Sequence, residues 1–247
     1  MSRFRDKVIL ITGAASGFGQ LLTERLAAGG AQLVVGDIDE GGVNAVAGQA
    51  GDNVVAMACD VTVEDQVEAL VERAVDVYGR LDIAINNAGI VGKLGNLVDT
   101  TEADMNLSFA VNAKGVFFGM KHQIPVLITG GGGSILNVSS MAGINGAPKA
   151  TAYAAAKHAV IGMTKTAAVE YGRKNVRVNA VCPFFTLTPM VTENIDPDTQ
   201  ALVSGGSPMK RLGEPGEVVS TMLNVIDPAN TYLNGQAIAI DGGVSAI

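Results

Sequence analysis

The chain has 247 residues, of which 48% are apolar and 17% charged, with 31 glycines and a formal net charge of −7. This length suits one α/β domain with a well-buried core and is short for two. The acidic charge, with no Lys/Arg cluster, argues against a nucleic-acid or anionic-membrane partner. No apolar run approaches the roughly 18 residues of a membrane helix. Cys59 and Cys182 stand in strand-like apolar runs, which favours reduced thiols and a cytoplasmic protein.

Short β-branched runs alternate with longer helical patterns along the chain, which is typical of βαβ units in a doubly wound parallel sheet. We predict seven strands, at 7–11, 32–36, 53–58, 82–85, 134–138, 175–180 and 236–240. Apolar residues at three- and four-residue spacing predict helices at 17–28, 39–49, 63–78, 102–128, 151–171 and 214–225. The stretch from about 187 to 213 is rich in Pro, Gly, Asp and Ser, so we expect a substrate loop or lid there.

A glycine-rich segment, Thr12-Gly13-Ala14-Ala15-Ser16-Gly17-Phe18-Gly19, follows the first strand and opens the first helix. Its glycines allow a tight turn and a close approach of the backbone to a pyrophosphate, whose charge meets the free N–H groups at the helix start. A plain turn and cap would use the same residues. The position between strand and helix favours a Rossmann-type dinucleotide site.

Asp37 ends the second strand, roughly 20 residues beyond the glycines, where a carboxylate accepts hydrogen bonds from the adenosine ribose and repels a 2′-phosphate. No Arg or Lys stands at Ser16, Gly36, Ile38 or Asp39 to attract that phosphate. We therefore predict NAD rather than NADP as the cofactor.

Tyr153 and Lys157 stand four residues apart in a helical segment, which places both side chains on one face, one turn apart. A phenol with an ordinary pKa near 10 is a poor base, but a neighbouring ammonium and a cationic nicotinamide favour the phenolate. Tyr153 could then accept the proton of an alcohol as hydride leaves. Taken alone, such a pair is a common surface feature of helices.

The motifs taken together resemble the short-chain dehydrogenase/reductase family, in its roughly 250-residue branch, from residue 7 to about 243. The matching elements are Thr12-Gly13-xxx-Gly17-x-Gly19, Asp60-Val61, Asn86-Asn87-Ala88-Gly89, Asn112, Ser139-Ser140, Tyr153-xxx-Lys157 and the loop from Cys182-Pro183 to Thr188-Pro189. The resemblance implies one Rossmann-type domain over residues 1–247 and an NAD-dependent oxidoreductase acting on a secondary alcohol or ketone.

The resemblance also implies residue roles. Tyr153 would be the general acid/base, Lys157 would bind the nicotinamide ribose, Ser140 would hydrogen-bond the substrate oxygen, and Asn112 would interrupt its helix and order a water chain from Lys157. Ser139 is the weaker candidate of the serine pair. The residues implied in cofactor binding are Gly13, Ser16, Gly17, Phe18, Gly19, Asp37, Ile38, Asp60, Val61, Asn87, Ala88, Gly89, Tyr153, Lys157, Pro183, Thr186 and Thr188.

One position departs from the family pattern, because Phe184 stands where glycine usually follows the proline. Phenylalanine lacks the backbone freedom of glycine, so we expect a displaced loop or a partly filled pocket beside the nicotinamide. The segments near 91–95, 141–148 and 184–209 carry apolar residues with little fixed charge, which favours an apolar cyclic or aromatic substrate. The substrate-binding residues predicted are Ser140, Met141, Tyr153, Phe184, Phe185 and Met190.

Other side chains carry weaker signals. His122 and His158 are isolated, so we predict no metal site, and no base stands beside Cys182 to activate its thiol. Helices 102–128 and 151–171 are apolar over much of their length, and the resemblance implies a homotetramer built on them. Two alternatives stay open: an NADPH-dependent 3-oxoacyl-thioester reductase of the same fold, and a non-catalytic dinucleotide-binding protein.

Overall fold

The fold is a parallel β-sheet between two layers of helices. The structure is a computed structural model that describes residues 2–193 and 195–246. Within these residues the strands are Val8–Thr12 (β1), Gln32–Asp37 (β2), Val54–Ala58 (β3), Ile83–Asn86 (β4), Gly133–Val138 (β5), Val176–Pro183 (β6) and Ala237–Ile240 (β7). The α-helices are Gly17–Ala28 (α1), Glu40–Ala50 (α2), Glu64–Tyr78 (α3), Glu102–Phe109 (α4), Gly115–Thr129 (α5), Thr151–Tyr171 (α6), Pro189–Thr192 (α7), Pro197–Gly206 (α8) and Pro215–Val225 (α9).

The sheet has the strand order β3-β2-β1-β4-β5-β6-β7, and every neighbouring pair is parallel. The order reverses between β1 and β4, which opens a crevice at the carboxyl ends of these two strands. The doubly wound α/β fold predicted from the sequence is thus confirmed. All seven predicted strands are present, and β6 runs three residues further than predicted, to Pro183.

Two apolar layers hold the sheet, because strands covered on both faces send alternate side chains to opposite sides. In β1, Ile9 and Ile11 join the layer that contains residues of α1, α2 and α9. Val8 and Leu10 join the opposite layer, with residues of α3, α5 and α6. All these side chains are almost completely buried, so β1 and its glycine-rich continuation are rigidly placed.

Two predicted elements differ from the structure. The predicted helix 102–128 is divided by a π-helix, Ala110–Lys114, between α4 and α5. The predicted loop 187–213 contains α7 and α8, each of which begins with proline. A proline at the first helical position loses no hydrogen bond and has a suitable φ, so its presence did not exclude a helix.

A buried polar network joins the sheet to α5 and α6 below the carboxyl end of β5. Asn86 donates to Asn137 Oδ1 (2.8 Å) and to Gln123 Oε1 (3.1 Å), and Gln123 donates back to Asn86 Oδ1 (2.8 Å). Asn137 also donates to the Thr164 hydroxyl at 2.9 Å. Because these buried groups satisfy one another, the network stabilises one registry of β4, β5 and α6. Among the described residues, no helix is long and apolar enough to span a membrane.

Candidate active site

The glycine-rich segment forms a tight turn between β1 and α1. Gly13 has φ +68°, a left-handed conformation that favours glycine, and a Cβ at Gly19 would collide with the Gly13 carbonyl oxygen. Ser16 precedes α1 without a side-chain cap, so N–H groups of the first turn are left for another acceptor. The cradle between Gly13 and α1 therefore fits a phosphate group.

Asp37 lies beside this turn, at the end of β2. One of its carboxylate oxygens accepts the N–H of Ala15 at 2.9 Å, and the other accepts the N–H of Asp39 at 3.0 Å. The apolar side chain of Ile38 is 73% exposed next to it. At the end of β3, Asp60 accepts hydrogen bonds from the backbone and the hydroxyl of Thr62. The predicted nucleoside side of the cleft is thus assembled from the ends of β2 and β3.

The segment after β4 is bound to the glycine turn. The Thr12 hydroxyl accepts the N–H groups of Asn87 (3.1 Å) and Ala88 (3.2 Å). The Asn87 amide donates to the carbonyls of Thr12 (3.0 Å) and Gly13 (2.9 Å). A Cβ placed on Gly89 would lie 3.3 Å from Lys157 Nζ. This segment therefore links the glycine turn to the Tyr153–Lys157 pair.

Tyr153, Lys157 and Ser140 lie together at the carboxyl end of β5. Tyr153 and Lys157 share one face of α6, with Lys157 Nζ 5.6 Å from the centre of the Tyr153 ring. The Ser140 hydroxyl is hydrogen-bonded to the Tyr153 side chain. Lys157 is 3% exposed and donates to the Val138 carbonyl at 2.8 Å. An ammonium has three donors, so Lys157 keeps hydrogens for further acceptors.

Burial controls the charges of this cluster. It raises the pKa of Tyr153, and the hydrogen bond with Ser140 opposes that rise. Burial also lowers the pKa of Lys157 from 10.5 to about 8. The phenol is therefore neutral at pH 7, and it needs a nearby positive charge before it can act as a base.

Asn112 lies inside the π-helix that interrupts the long helical segment. Its side-chain oxygen accepts the N–H of Ile90 at 3.0 Å, and its amide donates to the Ile90 carbonyl (3.0 Å) and the Ser108 hydroxyl (3.1 Å). A Cβ on Gly89 would approach its side-chain oxygen to 2.8 Å. Asn112 thus lies beside the same segment as Lys157, and its part in a water chain from Lys157 stays a prediction.

The two serines at the end of β5 face different partners. The Ser139 hydroxyl donates to the Lys157 carbonyl at 2.9 Å and is buried, so it joins β5 to α6. Ser140 contacts Tyr153 and also accepts the N–H of Ala142 at 3.1 Å. Neither the bond from Ser139 to the Lys157 carbonyl nor the bond from Lys157 to the Val138 carbonyl was predicted from the sequence. The only indication in the sequence was that a second serine, Ser139, stands next to Ser140.

Comparison with known proteins places the chain in a family. A family model described as enoyl-(acyl carrier protein) reductase matches residues 13–245. The 3-oxoacyl-[acyl-carrier-protein] reductase FabG of Thermotoga maritima is 42% identical, covering 98% of this chain and 99% of the relative. Levodione reductase of Leifsonia aquatica is 37% identical (99% and 96%), and cyclohexanol dehydrogenase of an Acinetobacter strain is 33% identical (99% and 97%).

The chain belongs to the short-chain dehydrogenase/reductase family. Two solved structures of the family agree with the fold described above. The crystal structure of levodione reductase superposes with a TM-score of 0.95 at 36% identity, covering 98% of this chain and 99% of that one. The structure of 3-ketoacyl-(acyl-carrier-protein) reductase from Brucella melitensis, complexed with NADH, has a TM-score of 0.92 at 34% identity with the same coverage. The chain is accordingly an oxidoreductase of the class that acts on CH–OH groups.

Phe184, which departs from the family pattern, has an ordinary backbone conformation. Within residues 2–193 and 195–246, the residues other than glycine with positive φ are Asp6, Lys149, Asn175 and Lys210. The Phe184 N–H donates to the Ile240 carbonyl at 3.0 Å, which continues the pairing of β6 with β7 beyond Pro183. Phe184 thus needs none of the backbone freedom of glycine, and the displaced loop or partly filled pocket expected from the sequence stays a prediction. A glycine is not required here because the strand simply continues.

The loop after β6 returns to the glycine turn. Thr186 and Thr188 are buried, and a Cβ on Gly17 would lie 3.7 Å from Thr188 Cβ. The Thr186 hydroxyl donates to the Phe184 carbonyl at 2.9 Å. The structure thus brings Thr188 to the predicted cofactor cleft, whereas the Thr186 hydroxyl is occupied by its own loop.

The predicted substrate residues differ in accessibility. Met141 is only 4% exposed and packs with Ile161 and Cys182, so it supports the site from below. Phe184 and Phe185 are partly buried, with their rings in an edge-to-face arrangement 5.1 Å apart. Met190 is 36% exposed at the start of α7.

The described histidines and cysteines add no second catalytic or metal site. In residues 2–193 and 195–246, no group of three or more His, Cys, Asp or Glu could hold a metal ion. His122 contacts Glu64 at 3.1 Å and His158 contacts the Ala154 carbonyl. Burial raises the pKa of the Cys59 and Cys182 thiols to about 11, so both are unreactive thiols rather than thiolates.

Proposed function

We propose that this protein is an NAD-dependent oxidoreductase that transfers a hydride between the nicotinamide and an apolar cyclic or aromatic secondary alcohol or ketone. The observation that carries this proposal is the cluster of Tyr153, Ser140 and Lys157 beside the glycine turn. A phenol and a hydroxyl can both hydrogen-bond one substrate oxygen, and the neighbouring ammonium supplies positive charge. Such a cluster suits proton transfer to and from a carbinol oxygen.

The residues of the cleft fit a nicotinamide dinucleotide. A Cβ at Gly19 would fill the space above Gly13, and the uncapped start of α1 offers N–H donors to a pyrophosphate. When bound, the nicotinamide accepts or gives the hydride. The chain would hold it through the two remaining donors of Lys157, the Asp37 carboxylate and the turn after β4.

The proton steps fall to three side chains. Ser140 would hold the substrate oxygen, and Tyr153 would take its proton during oxidation and return it during reduction. Lys157, with a positive charge below pH about 8, would stabilise the phenolate electrostatically. Asn112, fixed at the Ile90 backbone, would complete the route by which the proton leaves toward solvent.

Cofactor preference is tested at Asp37. We expect Asp37→Asn to lower the ratio of kcat/KM for NAD⁺ to that for NADP⁺ at least about tenfold, because the amide no longer repels a 2′-phosphate. Asparagine can still accept the N–H of Ala15, so the turn is preserved. Asp52→Asn, in the exposed turn before β3 at the opposite end of the parallel strands, is the matched control, since it removes one carboxylate outside the cofactor cleft. An unchanged ratio in Asp37→Asn would remove Asp37 from the determinants.

The substrate class rests on the apolar character of the loops around Ser140 and Tyr153. Relatives include a cyclohexanol dehydrogenase and a levodione reductase, which supports a cyclic substrate. Oxidation of cyclohexanol, measured from the absorbance of NADH formed from NAD⁺ and of NADPH formed from NADP⁺, tests the proposal directly. Absence of turnover across a broad panel of cyclic and aromatic alcohols would contradict it.

A second candidate is the NADPH-dependent reduction of a 3-oxoacyl thioester. The 42% identity to the Thermotoga 3-oxoacyl reductase favours it. Asp37 disfavours it, because its carboxylate would repel the 2′-phosphate of NADPH. Reduction of an acetoacetyl thioester with NADPH at a higher kcat/KM than any cyclic ketone with NADH would reverse the order of the two candidates.

The proposal includes a cytoplasmic homotetramer built on α4, α5 and α6. Leu107, Phe117 and Val169 on these helices are 53%, 46% and 83% exposed. We expect light scattering to give four times the chain mass of 25.3 kDa, and Val169→Glu to give smaller species because a charge would be buried between subunits. Val77→Glu, on α3, is the control that should leave the tetramer intact. A monomeric wild-type protein would contradict the assembly.

A further inference from the structure

A partly open cavity of about 170 Å³ lies behind the loop that follows β6. It is bounded by the ends of β6 and β7, the stem of the 187–213 segment and the first turn of α9. Its apolar lining consists of Phe184, Phe185, Met209, Leu212, Val218 and Ile240. The proposed hydride and proton transfer uses none of these residues, and only Phe184 and Phe185 among them are predicted to contact the substrate.

The charged groups around this cavity are already compensated. Arg211 forms two hydrogen bonds of 2.7 Å with the carboxylate of Glu217. The carboxylate of Asp241 accepts the N–H groups of Gly243 (3.0 Å) and Ser245 (2.7 Å). A charged ligand would have to compete with these partners, so the cavity suits an uncharged group.

Phe184 borders this cavity and also packs against apolar residues next to the catalytic cluster. It lines the cavity and contacts the group of Met141, Ile161 and Cys182. Met141 directly follows Ser140 in the chain, so this group lies beneath the proposed substrate oxygen site. The bond from the Phe184 N–H to the Ile240 carbonyl fixes the backbone, and the neighbouring Phe185 ring holds the side chain.

We propose that the Phe184 ring closes this apolar cavity off from the catalytic cleft and thereby restricts the substrate to a compact ring. Without the phenyl group, the cavity would receive an uncharged substituent about as large as benzene on the far side of the substrate. Apolar cavities near 150 Å³ bind benzene, which matches the volume found here. This inference rests on the proposed function, because it names which members of that substrate class are accepted.

The test compares cyclohexanol with 4-phenylcyclohexanol in three variants. We expect Phe184→Gly, which restores the usual residue of the family, to raise the ratio of kcat/KM for 4-phenylcyclohexanol to that for cyclohexanol about tenfold or more. Phe184→Ala keeps a Cβ and should shift the ratio in the same direction if Phe184→Gly folds poorly. Met209→Ala removes side-chain atoms from the cavity wall but not from the partition, so its ratio should stay within about twofold of wild type.

A second measurement does not depend on turnover. Crystals of Phe184→Gly or Phe184→Ala soaked in bromobenzene should show anomalous bromine density between Leu212, Val218 and Ile240. No bromine there, an unchanged ratio in both Phe184 variants, or an equal rise in Met209→Ala would overturn the inference. Failure of the wild-type protein to oxidise any cyclic alcohol, with bromine present in the cavity, would instead contradict the proposed function and leave the partition supported.

Discussion

Tyr153→Phe is expected to lower kcat for alcohol oxidation by about 10²- to 10⁴-fold, the usual contribution of a general base. The substitution removes one oxygen and keeps the ring that lies beside Lys157. The fold and the glycine turn are not touched, so the Kd of NADH from fluorescence titration should change less than about threefold. The variant is thus expected to lose turnover while it keeps its affinity for NADH.

The pH dependence of kcat/KM for oxidation tests the role of Tyr153 further. Burial raises the pKa of Tyr153, so the deprotonated form that accepts the alcohol proton becomes more abundant as pH rises. Wild-type kcat/KM for oxidation should therefore increase from pH 6 to about pH 8, where Lys157 keeps its charge, and the residual rate of Tyr153→Phe should not. Tyr171→Phe, at the other end of α6, is the control and should match wild type. Turnover by Tyr153→Phe at more than a tenth of the wild-type rate would remove Tyr153 as the base.

Lys157→Met is expected to lower kcat/KM for oxidation by at least about a hundredfold without unfolding the protein. The ammonium would both stabilise the phenolate and bind the nicotinamide ribose, so KM for NAD⁺ should rise while kcat falls. Methionine has a similar length and fills the buried space. Lys174→Met, on the exposed turn after α6, is the matched control and should leave both constants unchanged.

The stability of this variant follows from the lowered pKa of Lys157. A pKa of about 8 in the folded protein, against 10.5 when free, means that burying the charged form costs on the order of 3 kcal/mol below pH 8. Lys157→Met removes this cost and so favours folding. It also removes the hydrogen bond to the Val138 carbonyl, and that loss lowers the free energy of unfolding by about 1–3 kcal/mol. The two nearly offset one another, so urea unfolding at pH 7 should give similar free energies for Lys157→Met and wild type.

The sign of the pH effect can be checked on the same pair. Between pH 8 and 10.5 the unfolded chain binds more protons at Lys157 than the folded chain, so the wild-type protein gains stability relative to Lys157→Met as pH rises. Unfolding free energies measured at pH 7 and pH 9.5 decide the matter. A wild-type protein that loses stability relative to the variant over this interval would mean that the ammonium is not desolvated as described.

Regular elements of the fold were predictable because their physical signals are local. The β1 run is apolar on both faces, and the spacing of Tyr153 and Lys157 follows directly from helical geometry. The glycine turn was predictable for the same reason, since Gly13 occupies a left-handed conformation that few other residues adopt.

Features that depend on distant partners were not predictable from the sequence. The Ser139 hydroxyl finds the Lys157 carbonyl only after β5 and α6 are packed together, and nothing near Ser139 indicates it. The extension of β6, which pairs the Phe184 N–H with the Ile240 carbonyl, was not indicated by the residues around Phe184 either. The burial of Met141 likewise reflects Ile161 and Cys182, which are remote in the chain.

The π-helix at Ala110–Lys114 has a consequence for how the long helical segment is used. Each residue of an α-helix advances about 100° around the axis, so one extra residue in a wide turn rotates everything after it relative to everything before it. Accordingly α4 packs mainly on α6, whereas α5 packs mainly on α3 and the strands β4 and β5 and touches α6 less extensively. The continuous helical segment from α4 to α5 therefore has two apolar faces that point in different directions. Deleting one residue from this turn would realign the faces and set Phe118 and Ile124 against the wrong neighbours.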